Sequence, residues 1–283
     1  MNEAFRDLQR WIGNTVTAED TVTPTTARAL AATLDRELLF ADGDPLPPPW
    51  HWQYFLTMEP LADAGPDGHP KRGGFLPPVP LPRRMWAGSR MEFHRPLRIG
   101  DAITKVSRIA DVTLKEGRSG MLVFVKVRHE IAGPEGLSLV DEHDIVYRDL
   151  PKPDDVPAAP RQAPAQSAWR REIRPDPVLL FRYSALTYNS HRIHYDHPYV
   201  TQTEGYPGLV VHGPLLATLL LDLLLREWPR ATVTQFEFRA VRPAFDTAPF
   251  SVCGAPASDG KRAQLWIADN DGFLCMDATA QVA

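Results

Sequence analysis

The sequence predicts an α+β protein of two similar units, each an antiparallel β-sheet curved around a central helix. Apolar residues alternate with period two in two separate groups of strands. A helix that is apolar on all sides precedes the second group. The proline-rich segment 151–167 lies between the groups, cannot build a packed core, and is typical of an extended linker. We therefore expect an N-terminal half of residues 1–150 and a C-terminal half of residues 168–283.

The N-terminal half opens with helical signals and continues into strands. Residues 5–12 place their apolar side chains on one helical face, and Thr23 followed by Pro24 is typical of an N-cap with proline at the first helical position. Proline recurs between Pro45 and Pro82 and excludes regular structure there. From Met85 onward the period changes to two, which predicts four strands at residues 91–93, 103–114, 121–131 and 139–147.

The C-terminal half repeats this order, with a loop at 183–207 and an apolar stretch at 208–228. Gly213-Pro214 starts a helix near residue 213, so only about 15 residues are helical, fewer than the ~20 of a membrane-spanning helix. A short helix that is apolar all round is a core helix wrapped by a sheet, and this is the hotdog arrangement. Four strands follow at residues 232–241, 250–254, 263–268 and 273–282.

A faint internal repeat supports two copies of one unit. Glu92-Phe93 and Asp101 in the first half correspond to Glu237-Phe238 and Asp246 in the second. The repeat is weak by itself, and it gains weight only because the order of elements also repeats.

Composition excludes several classes of protein. A formal net charge of −4 gives no reason to expect a nucleic-acid partner or a membrane surface. Cys253 and Cys275 cannot form a disulfide framework or a four-ligand zinc site, so we expect two core residues and a cytoplasmic location. Residues 1–14 carry charges and no apolar run, so we expect no signal peptide.

A cluster of histidines precedes the apolar helix. His191, His194, His197 and His212 lie within 22 residues of sequence. Imidazole changes its charge near neutral pH and is therefore the usual general base. Any single one of these histidines can belong to a solvated loop, but their position just before the most buried helix favours an active site.

Other site chemistries lack their motifs. The histidine spacing matches no standard zinc pattern, and the His-Glu-x-x-His signature is missing. The chain has no Gly-x-Ser-x-Gly elbow and no glycine-rich phosphate loop after a strand. We therefore expect no metal and no cofactor.

The histidine segment resembles a known family. Residues 189–196, Asn-Ser-His-Arg-Ile-His-Tyr-Asp, resemble the motif Asp-x-Asn-Pro-aliphatic-His-x-Asp-Pro of MaoC-like hotdog hydratases and dehydratases, and residues 205–214 resemble the start of their hotdog helix. The variant is similar to a subgroup with mitochondrial-type 3-hydroxyacyl-thioester dehydratases and mesaconyl-CoA and itaconyl-CoA hydratases. The resemblance implies a double hotdog whose second half alone carries the motif. It is specific over about residues 183–216.

The resemblance assigns catalytic roles, with one departure. His194 matches the catalytic histidine of the family, whereas Asn189 stands where the family has its catalytic aspartate. Since an amide cannot accept a proton, either His194 acts alone while Asn189 positions the water, which we favour, or Asp196 becomes its carboxylate partner. Asp196 can instead cap local backbone. At the helix start, Gly213 is expected to stabilise the thioester oxyanion through its N–H.

Arg192 is the residue most informative about the substrate. It replaces a family proline beside the catalytic histidine, and arginine binds carboxylates, so it favours a dicarboxylic acyl-CoA such as mesaconyl- or itaconyl-CoA. Alternatively, Arg192 forms a surface ion pair or binds a CoA phosphate. Tyr188, His191 and His212 are expected to line the same site.

The resulting prediction is an enoyl-CoA hydratase that works as a homodimer on an acyl-CoA. The alternatives are a 3-hydroxyacyl-thioester dehydratase, a hotdog thioesterase and a non-catalytic acyl-thioester binder. The aromatic run 50–55 either covers the acyl tunnel or, as we prefer for most of its side chains, fills core and loop.

Overall fold

The computed structural model describes residues 7–71, 73–117, 120–150 and 159–283, which contain one ten-stranded antiparallel sheet. In chain order its strands are β1 (Thr15–Thr21), β2 (Arg83–Phe93), β3 (Ala102–Gly117), β4 (Gly120–Gly133), β5 (Gly136–Arg148), β6 (Trp169–Ile173), β7 (Val233–Ala240), β8 (Phe250–Pro256), β9 (Arg262–Ala268) and β10 (Leu274–Val282). Their order across the sheet is β1-β3-β4-β5-β2-β7-β10-β9-β8-β6. All of the strands that the sequence predicts are therefore present, and the α+β class is confirmed.

Four α-helices accompany the sheet in the described ranges. They are α1 (Pro24–Thr33), α2 (Pro177–Leu186), α3 (His197–Gln202) and α4 (Gly213–Glu227). In the described residues of the proline-rich stretch before β2, the helical elements are short 3₁₀ turns at Trp50–Gln53 and Leu61–Asp63, as the proline content predicts.

The two halves join through the pairing of β2 with β7, at the centre of the sheet. Gly88 lies opposite Arg239, and Glu92 lies opposite Gln235. A Cβ on Gly88 would come within 2.4 Å of the Phe238 carbonyl oxygen, so only glycine permits this close approach. The paired strands carry the first residues of the internal repeat. The division at 151–167 stays a prediction, because residues 151–158 lie outside the described ranges.

Helix α4 is the core helix that the apolar stretch predicts. It begins at Gly213, and residues 215–224 are all buried. It contacts β6, β8, β9 and β10, so the second half of the sheet wraps around it. Burying one leucine side chain stabilises the fold by about 1.5–3 kcal/mol, which makes this helix a main source of stability. Among the described residues, no helix is long and apolar enough to span a membrane.

Sequence reasoning missed four elements and misjudged a fifth. β1, β6 and α2 were not predicted, nor was α3, which lies in the stretch predicted as a loop. The helix expected at 5–12 is a 3₁₀ turn, Asp7–Trp11, with residues 1–6 outside the described ranges. β1 pairs only with β3 and β6 only with β8, so both are edge strands with one partner. Edge strands do not need a regular apolar alternation, which removes the period-two signal. Cys253 and Cys275 lie buried on β8 and β10, as predicted.

The aromatic run 50–55 fills the core, as preferred from the sequence. Trp50, Tyr54 and Phe55 are buried. His51 Nε2 and Trp52 Nε1 lie 3.2 and 2.8 Å from the carboxylate of buried Asp141. The run therefore also provides hydrogen-bonding partners for a buried carboxylate.

A buried aspartate in α4 ties the halves together. Asp222 is only 2% exposed and forms ion pairs with Arg36, Arg171 and Arg226, at 3.1, 3.0 and 2.7 Å. Arg171 and Arg226 also donate to the carbonyl of Leu34 at the end of α1. The aspartate thus connects the core helix of one half to the helix end of the other.

Candidate active site

His194 ends a 3₁₀ turn, Arg192–His194, and lies against the start of α4. Its ring is 7% exposed and stacks on the ring of His212, with centroids 3.7 Å apart and an interplanar angle of 17°. The Val210 carbonyl accepts a hydrogen bond from His194 Nδ1 at 2.6 Å, and the Val210 N–H donates to Ile193 at 3.0 Å. Both backbone groups of Val210 therefore hold the imidazole in one orientation.

The hydrogen bond to Val210 decides which ring nitrogen of His194 can act as a base. A carbonyl only accepts, so Nδ1 carries the proton and Nε2 of the neutral ring is the proton acceptor. Burial lowers the pKa of His194 to about 4, against the opposing effect of the Val210 hydrogen bond. At neutral pH the ring is therefore uncharged and ready to accept a proton.

His212 is the N-cap residue of α4 and is fully buried. Its Nε2 lies 2.8 Å from the hydroxyl of Ser184, on α2. Burial and the neighbouring His194 hold the pKa of His212 well below its usual value, so both stacked rings are neutral. His212 Nδ1 is buried without a hydrogen-bonding partner among the described residues. It is therefore a buried polar atom next to the start of α4.

The start of α4 leaves room for a ligand. A Cβ on Gly213 would meet nothing within 4 Å. The first N–H groups of a helix have no partner inside the helix, and Pro214 has no N–H to offer. The Gly213 N–H is therefore the donor at the helix start, beside the stacked rings of His194 and His212.

Asn189 and Tyr188 form the turn that follows α2. Asn189 Oδ1 accepts the N–H of His191 at 3.0 Å, and its own N–H donates to Ser184 at 2.8 Å. Tyr188 has a positive φ of 49° and is 57% exposed. The side-chain oxygen of Asn189 is thus occupied by a hydrogen bond within the loop, and its NH₂ group remains to orient a water molecule.

Arg192 lies two positions before His194 in sequence, but its guanidinium binds a carboxylate and a backbone carbonyl of the protein itself. It donates to Asp196 from Nε and Nη2, at 2.9 and 2.8 Å, and to the Pro66 carbonyl from Nη1 at 3.0 Å. It also stacks on the ring of Tyr199, 4.0 Å from its centroid. Binding a substrate carboxylate would require this guanidinium to leave these partners.

Asp196 belongs to this ion pair and to the start of α3. Its Oδ1 accepts the N–H of Tyr199 at 3.1 Å, which makes it the N-cap of that helix. Arg192 and this hydrogen bond lower its pKa. The carboxylate oxygens are thus engaged away from His194, whose Nδ1 is bound to Val210.

The N-terminal half contributes two residues to the site that sequence reasoning missed. Asp67 Oδ2 lies 3.1 Å from Nδ1 of His69, and the ring of His69 lies 3.9 Å from that of His191. The ring of His191 in turn lies 5.5 Å from that of His194. Asp67 and His69 lie more than 120 positions before His191 and His194 in the chain. No local spacing could have indicated that they meet.

The residues of this row differ in charge. Burial together with His69 lowers the pKa of His191 to about 2, so its ring is neutral. Burial alone would raise the pKa of Asp67, but the hydrogen bond and the charge of His69 lower it overall. Asp67 is therefore a fixed negative charge at the end of a row of imidazoles.

Three hydrogen bonds to backbone carbonyls fasten the segment 65–70 to the histidine loop. The N–H of Arg192 donates to the Asp67 carbonyl at 2.9 Å, and the Ser190 hydroxyl donates to the Gly68 carbonyl at 2.5 Å. The third is the hydrogen bond of Arg192 to the Pro66 carbonyl. A Cβ on Gly68 would lie 1.9 Å from the Ser190 carbonyl oxygen, so only glycine fits between the two segments.

Replacing Gly68 by alanine is expected to displace the segment 65–70 and to lower turnover by about 100-fold, the cost of misplacing a catalytic group by roughly 1 Å. The matched control is Gly43→Ala. Gly43 has φ +84°, close to the φ of +89° at Gly68, but a Cβ there meets nothing within 4 Å. Measuring turnover and the melting temperature of both variants tests whether the loss comes from the contact at Gly68. Equal turnover in the two variants would contradict the importance of the contact.

Asp67, His69 and His191 also form a group that can hold a metal ion. Their ligand atoms all lie within 4.8 Å of one another. The sequence spacing had indicated no metal site, because the three residues come from both halves. The rings of His69 and His191 approach to 3.9 Å between centroids and are tilted by 38°.

Sequence comparisons connect the chain to enzymes of acyl-thioester chemistry. Residues 49–246 match the model of the hydroxyacyl-thioester dehydratase type 2 family. A mesaconyl-C(4)-CoA hydratase from Chloroflexus aurantiacus is 47% identical over 277 residues, which cover 98% of both chains. A mitochondrial hydroxyacyl-thioester dehydratase type 2 from Schizosaccharomyces pombe is 27% identical and covers 78% of this chain and 80% of its own.

Solved structures share the architecture at much lower identity. A MaoC-like dehydratase from Phytophthora capsici superposes with a TM-score of 0.69 at 15% identity, over 98% of both chains. A Mycobacterium tuberculosis protein described as a double hotdog superposes with a TM-score of 0.60 at 14% identity, over 100% of both chains. These likenesses concern the fold alone.

Proposed function

Because the chain belongs to the hydroxyacyl-thioester dehydratase type 2 family, we propose that it adds water across the C2=C3 bond of an enoyl-CoA thioester, with a short dicarboxylic acyl group such as mesaconyl-C4-CoA. The observation that carries the proposal is the 47% identity to a mesaconyl-C(4)-CoA hydratase over nearly the whole chain. The site of the reaction is the space between His194 and the start of α4.

Family membership confirms the expected hydro-lyase and its relation to the MaoC-like enzymes. The structural neighbours confirm the double hotdog. The dehydratase relative gives a second candidate, the reverse reaction on a 3-hydroxyacyl thioester. Both directions break and form the same bonds and use the same groups.

His194 supplies the base for hydration. Its unprotonated Nε2 accepts a proton from water while the water oxygen bonds to C3. The electron pair of the C2=C3 bond then moves toward the thioester oxygen. The Gly213 N–H at the positive end of the α4 dipole stabilises that developing charge. As the thioester carbonyl re-forms, C2 takes the proton from His194, which becomes neutral again. Asn189 orients the water through its NH₂ group, since its oxygen is bound to the loop.

A second arginine, Arg84, is a further candidate for binding a substrate carboxylate. Arg84 lies half-buried at the start of β2, and its positive charge helps to lower the pKa of His191, after burial, His69 and His194. By contrast, the guanidinium of Arg192 is bound to Asp196 and Pro66. We therefore assign carboxylate recognition to Arg84 and a loop-positioning role to Arg192.

An ultraviolet assay of enoyl-thioester absorbance tests the substrate. We expect mesaconyl-C4-CoA to exceed crotonyl-CoA in kcat/KM by at least about tenfold, the effect of one hydrogen bond to a charged group. Arg84→Gln should remove this preference, whereas Arg192→Gln should lower both rates equally. Equal rates for both substrates in the unmodified protein would refute the dicarboxylate. No hydration of any enoyl-CoA would refute the reaction itself.

We also propose an oligomeric state and a location for the protein. A homodimer is proposed because the sequence resembles a family of multi-subunit hotdog enzymes. A cytoplasmic location is proposed because both cysteines are free thiols and buried.

A further inference from the structure

Three side chains that can ligate a metal meet where the two halves touch. Asp67 and His69 belong to the segment 65–70 of the N-terminal half, and His191 belongs to the histidine loop of the C-terminal half. Their ligand atoms all lie within 4.8 Å of one another. Two imidazoles and one carboxylate are a donor set that suits Zn²⁺ and related transition metals. The proposed steps of hydration use none of these three side chains.

We propose that Asp67, His69 and His191 bind one Zn²⁺ ion, which links the segment 65–70 to the histidine loop. The proposal does not depend on the hydration reaction. Among the residues that the structure describes, the group has three members, so a water molecule would complete a tetrahedron. The site departs from the expectation of no metal because its ligands come from distant parts of the chain.

Hydrogen bonds to the backbone hold the ligands close together without a metal. His191 lies between Ser190 and Arg192, and both of these neighbours bind the segment 65–70. The N–H of Arg192 donates to the Asp67 carbonyl at 2.9 Å, and the Ser190 hydroxyl donates to the Gly68 carbonyl at 2.5 Å. Gly68 itself lies between the other two ligands in sequence. The fold therefore fixes all three ligands before an ion binds, which lowers the cost of binding.

The carboxylate presents one of its oxygens to the group. Asp67 Oδ1 accepts the backbone N–H of His69 at 3.0 Å, and Oδ2 lies 3.1 Å from His69 Nδ1. In a tetrahedral site with bonds of about 2.1 Å, two ligand atoms are about 3.4 Å apart. The Asp67–His69 pair already has nearly this spacing, and an ion would replace the proton between the two atoms. The His191 nitrogen would move closer by at most about 1.4 Å, a shift within reach of side-chain rotation.

The surroundings permit an ion to enter and to stay. The side chains of His69 and Asp67 are 23% and 32% exposed, so an ion can arrive from solvent and keep a water ligand. The guanidinium of Arg192 is paired with Asp196 at 2.8 Å, so its charge is balanced by a carboxylate next to the site. The negative charge of Asp67 offsets part of the charge of a divalent cation.

Calorimetric titration of the EDTA-treated protein with Zn²⁺ tests the site. We expect one Zn²⁺ per chain, and a melting temperature about 5 °C higher at 100 times the Kd, because the ion binds only the folded state. His69→Ala and His191→Ala should each lose both effects. His94→Ala and His197→Ala, at exposed histidines of the N-terminal and C-terminal halves, are the matched controls and should keep both effects.

Two further measurements separate a built site from scattered binding and from misfolding. Co²⁺ held in a tetrahedron absorbs visible light far more strongly than hydrated Co²⁺, so this absorption should appear with the unmodified protein and be lost in His191→Ala. Asp67→Asn keeps the size of the side chain and removes its charge, so it should fold and weaken Zn²⁺ binding by at least about tenfold. No Zn²⁺ binding by the unmodified protein would overturn the proposal. Binding that His69→Ala, His191→Ala and Asp67→Asn leave unchanged would overturn it as well, whether or not the protein hydrates an enoyl-CoA.

Discussion

His194→Gln is expected to lower kcat/KM for enoyl-CoA hydration by at least about 100-fold, because the variant has no group that can take the proton from water. Glutamine retains a side chain that can hydrogen-bond to the Val210 carbonyl, so the loop is expected to keep its conformation. The absorbance assay with mesaconyl-C4-CoA and crotonyl-CoA measures the loss.

The control for this variant is His197→Gln. His197 lies three positions along the chain, is exposed, and begins α3. It should keep the rate of the unmodified protein. Near-normal hydration by His194→Gln would eliminate His194 as the base, whatever the result at His197.

The pH dependence follows from the same burial. His194 must be neutral to act as a base, and burial lowers its pKa to about 4. The acid limb of kcat/KM should therefore lie near pH 4, with activity lost as the pH falls through this value. An ordinary histidine base would place that limb near pH 6.5. An acid limb near 6.5 would show that the base is a solvated histidine and not His194.

Much of the fold could be predicted from the sequence because its strongest signals are local. The start of α4 at Gly213 follows from the Gly-Pro step, and the central strands follow from period-two alternation. β1 lacks such a signal, because it is an exposed edge strand. α2 starts with the Asp176 N-cap followed by Pro177, a local signal that sequence reasoning missed. Their place depends on partners that are distant in sequence.

The candidate site also has a part that a sequence motif indicates and a part that depends on the tertiary fold. His194, His212 and Gly213 come together because they lie in one short stretch of chain, so a motif could indicate them. The meeting of Asp67 with this stretch depends on the close approach at Gly68, which follows from the tertiary fold. The proposed role of Arg192 likewise depends on its neighbours, since a sequence motif does not show that a guanidinium already has partners.

Replacing Asp222 by alanine is expected to destabilise the protein by about 3 kcal/mol, the lower end of the effect of breaking a buried ion pair. The variant would leave Arg36, Arg171 and Arg226 facing one another without their shared anion. Their mutual repulsion is already visible at Arg36, whose pKa is lowered first by burial and then by the other two arginines, against the effect of Asp222. The loss is kept near 3 kcal/mol because all three guanidinium groups retain some contact with water.

Urea unfolding measures this change, and Asp259→Ala is the matched control. Asp259 also pairs with an arginine, Arg262, at 2.9 Å, but the pair lies on the surface, where water screens it. The control should leave the midpoint unchanged, whereas Asp222→Ala should lower it at constant slope. The carboxylate joins α4 and β6 to the residues that end α1, so both halves should unfold together earlier than in the unmodified protein. An unchanged midpoint for Asp222→Ala would mean that apolar packing around α4 alone holds the two halves in place.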